Sequence, residues 1–460
     1  MEVQIISKEN IKPASPTPQP LRNFKISVFD QLILSPYAPL IYFYPCSPNI
    51  LDLDIPNKVE VLKKSLSKTL SHFYPLAGKI KDHLSIDCND EGAFFVEARI
   101  NCRLQDFFAQ PDLLFLHRFL PCDNVIRTEY PVEGIYASNI QVTVFECGGI
   151  AIATCLSHKI IDGWTNRLFL KVWTAAARGC TEAPPCPNFI PYAPDLFIPA
   201  KDSWLQDLRR MWGSLTKKGK CTTRRFLFDA TAVATLKYRA TIGEVRIPTR
   251  VEAVSAFLWK CVMAASKARH GFQRPSVFIH LVNLRRRIPL PPALKENSIG
   301  NLLWIAAANH PGNCESDLPG LVGKLRESIL KLDGHFVKKI KGEEGNSAIS
   351  EYFRGITELG SRDGNECFYF VSWCKLDLYE TDFGWGKPLW VSSVGLQGSA
   401  VRNFCIINET RSGDGMEAWI TLDEPDMTIL ERDPELLSFA SLDPSPLTMS
   451  SAAPRFLSHM

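Results

Sequence analysis

Apolar positions along this chain follow two rhythms. From Lys58 to Phe73, Val59, Leu62, Leu66, Leu70 and Phe73 recur every three or four residues, which predicts a helix with one buried stripe. Pro75 and Gly78 end it. Ile26, Val28, Leu34 and the run Leu40-Ile-Tyr-Phe-Tyr44 predict strand segments, and short strands flank the turn Asn89-Asp-Glu-Gly92. Residues 139–146 and 149–156 read as a strand pair joined through Cys147, Gly148 and Gly149. The second of these is a continuous apolar run, as expected of a strand buried on both faces. A helix over 162–178 follows, with Trp164, Leu168, Val172, Ala175 and Ala176 on its apolar positions.

The downstream half repeats the mixture. Strands are expected at 225–229, 277–284, 300–308, 368–373, 389–394, 403–408 and 415–422, and helices at 230–241, 318–332 and 426–440. Thr249 and Glu252, three apart, form a capping-box signature that opens a further buried helix. At 460 residues the chain exceeds one ordinary core, so two domains are expected. Between them, frequent prolines from Pro184 to Pro199 and the basic stretch from Lys217 to Arg225 read as a crossover, with Lys217, Lys218 and Lys220 expected as solvated loop charges. The Pro/Ser stretch 443–460 reads as a disordered tail.

Composition narrows the function. A net charge of +3 argues against an extended nucleic-acid surface. The 14 cysteines occur singly, many inside apolar runs, so neither a zinc site nor a disulfide framework is expected, and a reducing, cytoplasmic setting is. The first residues lack a basic-then-apolar signal pattern and the last three are not a peroxisomal ending. No apolar run has transmembrane length, so no membrane partner is expected.

The candidate chemistry sits in Ser157-His158-Lys159-Ile160-Ile161-Asp162-Gly163-Trp164. A histidine at the end of a buried strand is suited to act as a general base, because a hydroxyl needs help losing its proton at neutral pH. Asp162 either orients the imidazole or pairs with an arginine, for which Arg285 is the candidate, since a buried carboxylate requires a partner. A second His-x-x-x-Asp, His83 to Asp87, lies beside a polar turn and lacks a following helix. Asp382-Phe-Gly-Trp-Gly386 brackets Trp385 with Gly384 and Gly386, which implies a tight turn or close approach. No Gly-x-Ser-x-Gly elbow is present, so direct transfer is simpler than a covalent serine route.

Together these motifs resemble the plant BAHD acyltransferase family over almost the entire chain. His158-x-x-x-Asp162-Gly163 and Asp382-Phe-Gly-Trp-Gly386-Lys-Pro388 fall in the family's order and spacing, and Tyr74-Pro-Leu-Ala-Gly78, Asn283-Leu-Arg285 and Gly300-Asn301 match as well. Val144 to Gly149, Ser372-Trp-Cys374 and Asp414 to Trp419 look most like the alkaloid O-acetyltransferases.

The resemblance implies an α/β fold of chloramphenicol-acetyltransferase-like type, with two similarly sized mixed-sheet domains around an interdomain channel. The expected division is 1–200 joined by segment 377–400, a linker 201–221, and 222–442. It implies no bound cofactor or metal, acyl-CoA (acetyl-CoA first) as co-substrate, a small-molecule alcohol as acceptor, and a monomer. His158 would be the base, and Asp162 would pair with Arg285 to hold its loop. Asp382 is also a catalytic candidate, although the family architecture puts its motif off the active site, where it maintains the channel. Trp385 is a candidate for oxyanion stabilisation, and Thr249 and Ser255 for coenzyme contact. Trp164 and Ile161 depart from the family's small residues, so Trp164 is expected either in the helix core or facing the channel. Two alternatives are another donor or an amine acceptor, and a non-catalytic partner protein.

Overall fold

The computed structural model describes residues 1–33, 37–46, 54–122, 134–180, 187, 198–241, 247–287, 295–313, 317–341 and 344–447. Leu34, most of the Pro184–Pro199 stretch and the tail from 448 onward lie outside these residues.

The first sheet has six strands, in spatial order Val3–Ile11, Ala93–Ile100, Ser138–Phe145, Ile150–Ser157, Tyr37–Tyr44 and Trp390–Ser392. Only the second and third of these run parallel. Every residue of Ile150–Ser157 is buried, because both faces of the sheet are covered. On one face, Tyr42, Tyr44, Ile140 and Ile152 pack with Leu62, Leu66, Phe169 and Trp173 from the helices Ile55–His72 and Gly163–Ala177. On the other face, Ile41, Phe43, Ala151 and Ala153 pack with Phe107, Phe108 and Phe119. Neighbouring residues of one strand thus enter different cores, as strand alternation requires.

The second sheet runs Leu303–His310, Ser276–Asn283, Glu366–Ser372, Phe404–Glu409, Met416–Asp423, Lys218–Phe228 and Gln397–Val401, with Ser441–Leu442 added on Lys218–Phe228. Helices Arg250–His270 and Leu318–Leu330 cover one face, and Asp202–Leu215 and Gly345–Ser361 cover the other. The Arg250–His270 helix opens with the capping box read from Thr249 and Glu252, and Arg326 holds Glu252 at 2.9 Å.

The halves meet through aromatic packing. Trp390 of the first sheet stacks on Phe43 and on Trp419 of the second, with centroids 5.4 and 6.0 Å apart. The guanidinium of Arg225 lies over the Trp390 ring and pairs with Glu417 at 3.3 Å, both fully buried. Burial pushes the Glu417 carboxyl above its ordinary range, and Arg225 pulls it back.

Several expectations are corrected. Segment 377–400 packs on the first half through Leu378, Tyr379, Phe383, Trp385 and the strand Trp390–Ser392, but its end does not: Gln397–Val401 pairs with Lys218–Phe228 in the second sheet. Between them Gly395 donates to the Leu113 carbonyl, where a Cβ would come within 2.9 Å of Leu113. Stretch 201–221 is no simple linker. Asp202–Leu215 is a helix whose Trp204, Leu208, Met211, Trp212 and Leu215 enter the core, and Lys218 and Lys220 stand on a strand. Val28–Gln31 is a short helix, because Ser27 and Asp30 cap it reciprocally. Val3–Ile11 is a strand that the sequence reading missed, since its buried positions are too few to alternate clearly. The expected 426–440 helix is two short ones, Glu424–Leu430 and Pro434–Leu437, separated before Pro434. Of the expected tail, Asp443 is ordered against Arg225, whose backbone N–H donates to its carboxylate at 2.8 Å.

Trp390→Ala should therefore cost about 3–5 kcal/mol of stability, with Trp390→Phe losing less. Denaturant unfolding followed by tryptophan fluorescence measures both.

Candidate active site

His158 follows the last residue of a fully buried strand, where the chain turns before the Gly163–Ala177 helix. Asp162 is the N-cap of that helix and accepts from the Thr165 backbone N–H at 2.8 Å. The same carboxylate accepts from both terminal nitrogens of Arg285 and, at 3.2 Å, from the Leu302 N–H. Arg285 also donates to the Ser298 hydroxyl at 2.6 Å and the Gly300 carbonyl at 2.8 Å. Both partners are buried, the carboxylate 1% and the guanidinium 3% exposed. Among the described residues no hydrogen bond joins His158 to Asp162. The structure thus takes the second option for Asp162: it holds the loop rather than the imidazole.

The loop is held from two further sides. Asn301 of the second half donates from Nδ2 to the His158 carbonyl at 2.9 Å. Lys159 points away from His158 and donates to the Ile33 carbonyl at 2.9 Å; burial lowers its pKa to about 7, against the pull of Asp30. Gly163 leaves room for Leu376, whose Cδ1 would lie 2.6 Å from any Cβ there. Burial lowers the His158 pKa, and Asp162, the His158 carbonyl, Asn301 and Asp30 oppose the shift. A lowered pKa keeps the imidazole neutral near pH 7, the form a base requires.

The Asp382 loop is elsewhere. Tyr37 pairs with Ser157 and Tyr44 with Ile150, so the two ends of this strand pair lie roughly 20–25 Å apart. His158 extends from the Tyr37 end. The Asp382 loop packs at the other: the Tyr44 hydroxyl donates to the Thr381 carbonyl at 2.9 Å, and Leu389 donates to Phe43. The Asp382 carboxylate accepts from Gly384 and Gly386 at 2.8 and 3.0 Å, and both glycines have positive φ, +110° and +99°. It closes a turn and does not meet His158. Trp385 stacks on Phe383 and lies edge-on to Tyr44, so the same strand length separates its indole from His158.

The remaining candidates are scattered. The Thr249 hydroxyl caps its helix, and Ser255 is buried with a hydroxyl that has no hydrogen-bond partner among the described residues. Trp164 takes neither expected place in full: its indole donates to the Glu296 carbonyl at 3.0 Å, with Arg167 over the ring, at the seam between the halves. Ile161 is buried in the first core. His83, of the second His-x-x-x-Asp, pairs with Asp202 across elements. A cavity of about 670 Å³ opens between Glu2, Gln4, Arg99 and Glu146, at the Tyr44 end of the sheet, and holds none of these residues. Among the described residues no three side chains are grouped to hold a metal ion, and no helix is long and apolar enough to cross a membrane. The sequence reading passed over Asp30 and gave Asn301 no role; Ser27-x-x-Asp30 as a capping box was the available signal.

Comparison with known proteins settles the family. The Transferase family profile matches residues 1–437. This chain is a BAHD acyltransferase. It is 43% identical to a limonoid 7-O-acetyltransferase of Citrus sinensis, covering 97% of this chain and 100% of that protein. It is 36% identical to vinorine synthase of Rauvolfia serpentina, covering 96% and 99%. The crystal structure of vinorine synthase superposes with a TM-score of 0.79 at 35% identity, over 96% of this chain and 99% of that one. The BAHD fold, two sheet-built halves of mixed α/β type, is therefore the fold of this chain. The alkaloid acetyltransferases expected from the motifs are among its relatives, with the limonoid 7-O-acetyltransferase at higher identity.

Removing Arg285 from this BAHD enzyme would leave Asp162 charged, buried and without its main partner. Arg285→Ala should cost about 3–5 kcal/mol, and Arg285→Lys should not restore it, because an ammonium cannot fork between Asp162, Ser298 and Gly300. Equilibrium unfolding in urea tests both variants.

Proposed function

We propose that this enzyme transfers an acetyl group from acetyl-CoA to a hydroxyl of a plant specialised metabolite, with His158 as general base. The observation that carries the reading is a partly buried imidazole on a loop clamped from both halves, with desolvation holding its pKa below the ordinary histidine value. The relatives support the donor and the acceptor class: beside the limonoid 7-O-acetyltransferase of Citrus sinensis, an epi-neemfruitin B 7-O-acetyltransferase of Melia azedarach is 42% identical over 97% of this chain. A limonoid alcohol is accordingly the first acceptor to assay, and an indole alkaloid the second.

The transfer runs in one ternary complex. Nε2 of His158 takes the hydroxyl proton as the alcohol oxygen attacks the thioester carbonyl carbon. The C–O bond forms, the tetrahedral intermediate collapses, and the C–S bond breaks. The thiolate leaves and takes the proton back from His158, so the products are an ester and free coenzyme A. The family channel would bring thioester and alcohol to His158 from opposite sides. Ser255, with its unpartnered buried hydroxyl, and Thr249 are the residues proposed to meet the coenzyme. Asp162, Arg285 and Gly163 position the loop. Asp382, Gly384, Trp385 and Gly386 act at a distance by fixing the far end of the sheet, so Asp382 supports the fold and is not a proton carrier. The enzyme is proposed to act in the cytoplasm as a monomer.

A second reading has one specific support: a relative 36% identical over 96% of this chain is named as an N-malonyltransferase, from Strychnos nux-vomica. A panel of acetyl-, malonyl- and benzoyl-CoA against alcohol and amine acceptors separates the two readings. A folded protein that releases no thiol with any pair would point instead to the non-catalytic partner protein.

His158→Ala should lower alcohol-dependent thiol release roughly 10²- to 10⁴-fold, the range a general base supplies. Activity that survives this change overturns the mechanism. The ring must be unprotonated to act, so kcat/KM should fall as pH drops through a limb centred below the ordinary histidine value of about 6.5. Above that limb the profile should be flat through neutrality.

A further inference from the structure

The strand Lys218–Phe228 is paired on one side by Met416–Asp423 as far as Phe228. On its other side Gln397–Val401 stops at Thr222. The last described residues of the chain take over from there. Ser441 and Leu442 pair with Leu227 and Phe226. The Asp443 N–H donates to the Arg225 carbonyl at 2.7 Å, and the Arg225 N–H donates to the Asp443 carboxylate at 2.8 Å. Without them this stretch of strand would be an open edge, with backbone groups free to pair with another chain.

The chain then leaves the second sheet for the first half. Asp443 has φ +44°, a left-handed conformation that aspartate tolerates better than most residues. The next carbonyl, that of Pro444, accepts from the Arg225 guanidinium. Pro446 is buried, and the Ser445 hydroxyl donates to the Phe108 carbonyl of the first half at 2.7 Å. The Phe108 ring packs edge-on against Trp390, with centroids 5.8 Å apart, and Trp390 lies under the same Arg225. Residues 441–447 therefore close a ring of contacts that begins and ends on Arg225 and crosses between the halves. The fully buried pair of Arg225 and Glu417 lies within that ring, with Asp443 and Pro444 as part of its cover.

We propose that residues 441–447 are a releasable strap. Closed, it seals the sheet edge, covers the Arg225–Glu417 pair and ties the second half to the first. Open, it gives up all three while both sheets stay folded. Its composition fits this division: among residues 441–447 only Pro446 is buried, so little apolar surface opposes its opening. A segment held mainly by hydrogen bonds opens before the cores that it joins. The strap lies past residue 437, where the match to the family profile ends. It is independent of the role given to His158, whose loop is clamped elsewhere by Asn301 and by the Asp162–Arg285 pair.

Amide hydrogen exchange of the full chain, followed by mass spectrometry at urea concentrations below global unfolding, tests the strap. In wild type, peptides covering 441–447 and 225–228 should lose protection together, at lower urea than the peptide covering 416–423. Ser445→Ala cuts the anchor in the first half, and exchange at 225–228 should become about 3- to 10-fold faster, the effect of one lost hydrogen bond. Adding Asp443→Ala should raise this to about 10- to 100-fold, with 416–423 at the wild-type rate. Three results overturn the proposal: 441–447 opening without 225–228, both opening only with the whole molecule, or a double variant that exchanges like wild type. The urea series needs wild type alone, so it decides the matter if the double variant fails to fold.

Discussion

The ion pair between Asp162 and Arg285 is the interaction on which the site depends. Neither charge is tolerable alone at that depth, where an unpaired ion is strongly penalised. Together they are satisfied: the carboxylate accepts from the guanidinium and two backbone amides, and the guanidinium reaches Ser298 and Gly300 besides. The pair joins a loop of the first half to a loop of the second. It leaves His158, four residues earlier, on a backbone that both halves hold.

The two short motifs share an aspartate and a glycine and do similar physical work at opposite ends of one strand pair. Asp162 caps a helix and crosses the seam. Asp382 gathers the amides of Gly384 and Gly386 into a turn whose aromatic residues pack on Tyr44 and Trp173. The Asp162 carboxylate is taken up by arginine and backbone amides and that of Asp382 by backbone amides. The Trp390, Trp419 and Arg225 packing adds a second weld between the halves, away from the catalytic loop.

Much of this was readable from the chain. A run as apolar as Ile150–Ser157 belongs in a sheet covered on both sides, and the spacing of Leu62, Leu66 and Leu70 belongs on a helix face. The helix Asp202–Leu215 is masked in the chain by the proline-rich stretch before it, although Trp204, Leu208, Met211 and Leu215 carry its period. Lys218 and Lys220 escaped as strand residues because a strand near a sheet edge tolerates charge on its open face.

The sequence by itself determined the element types around the site and the family, and singled out His158 as the proposed base, since local periodicity and short motifs report those directly. Which partner each polar group takes was decided only in three dimensions. Asp30 and Asn301 are 271 residues apart, and Asp162 and Arg285 are 123 apart. No local pattern links them; burial does, because each polar group carried into the core must find whatever complementary group the packing of two sheets brings within reach.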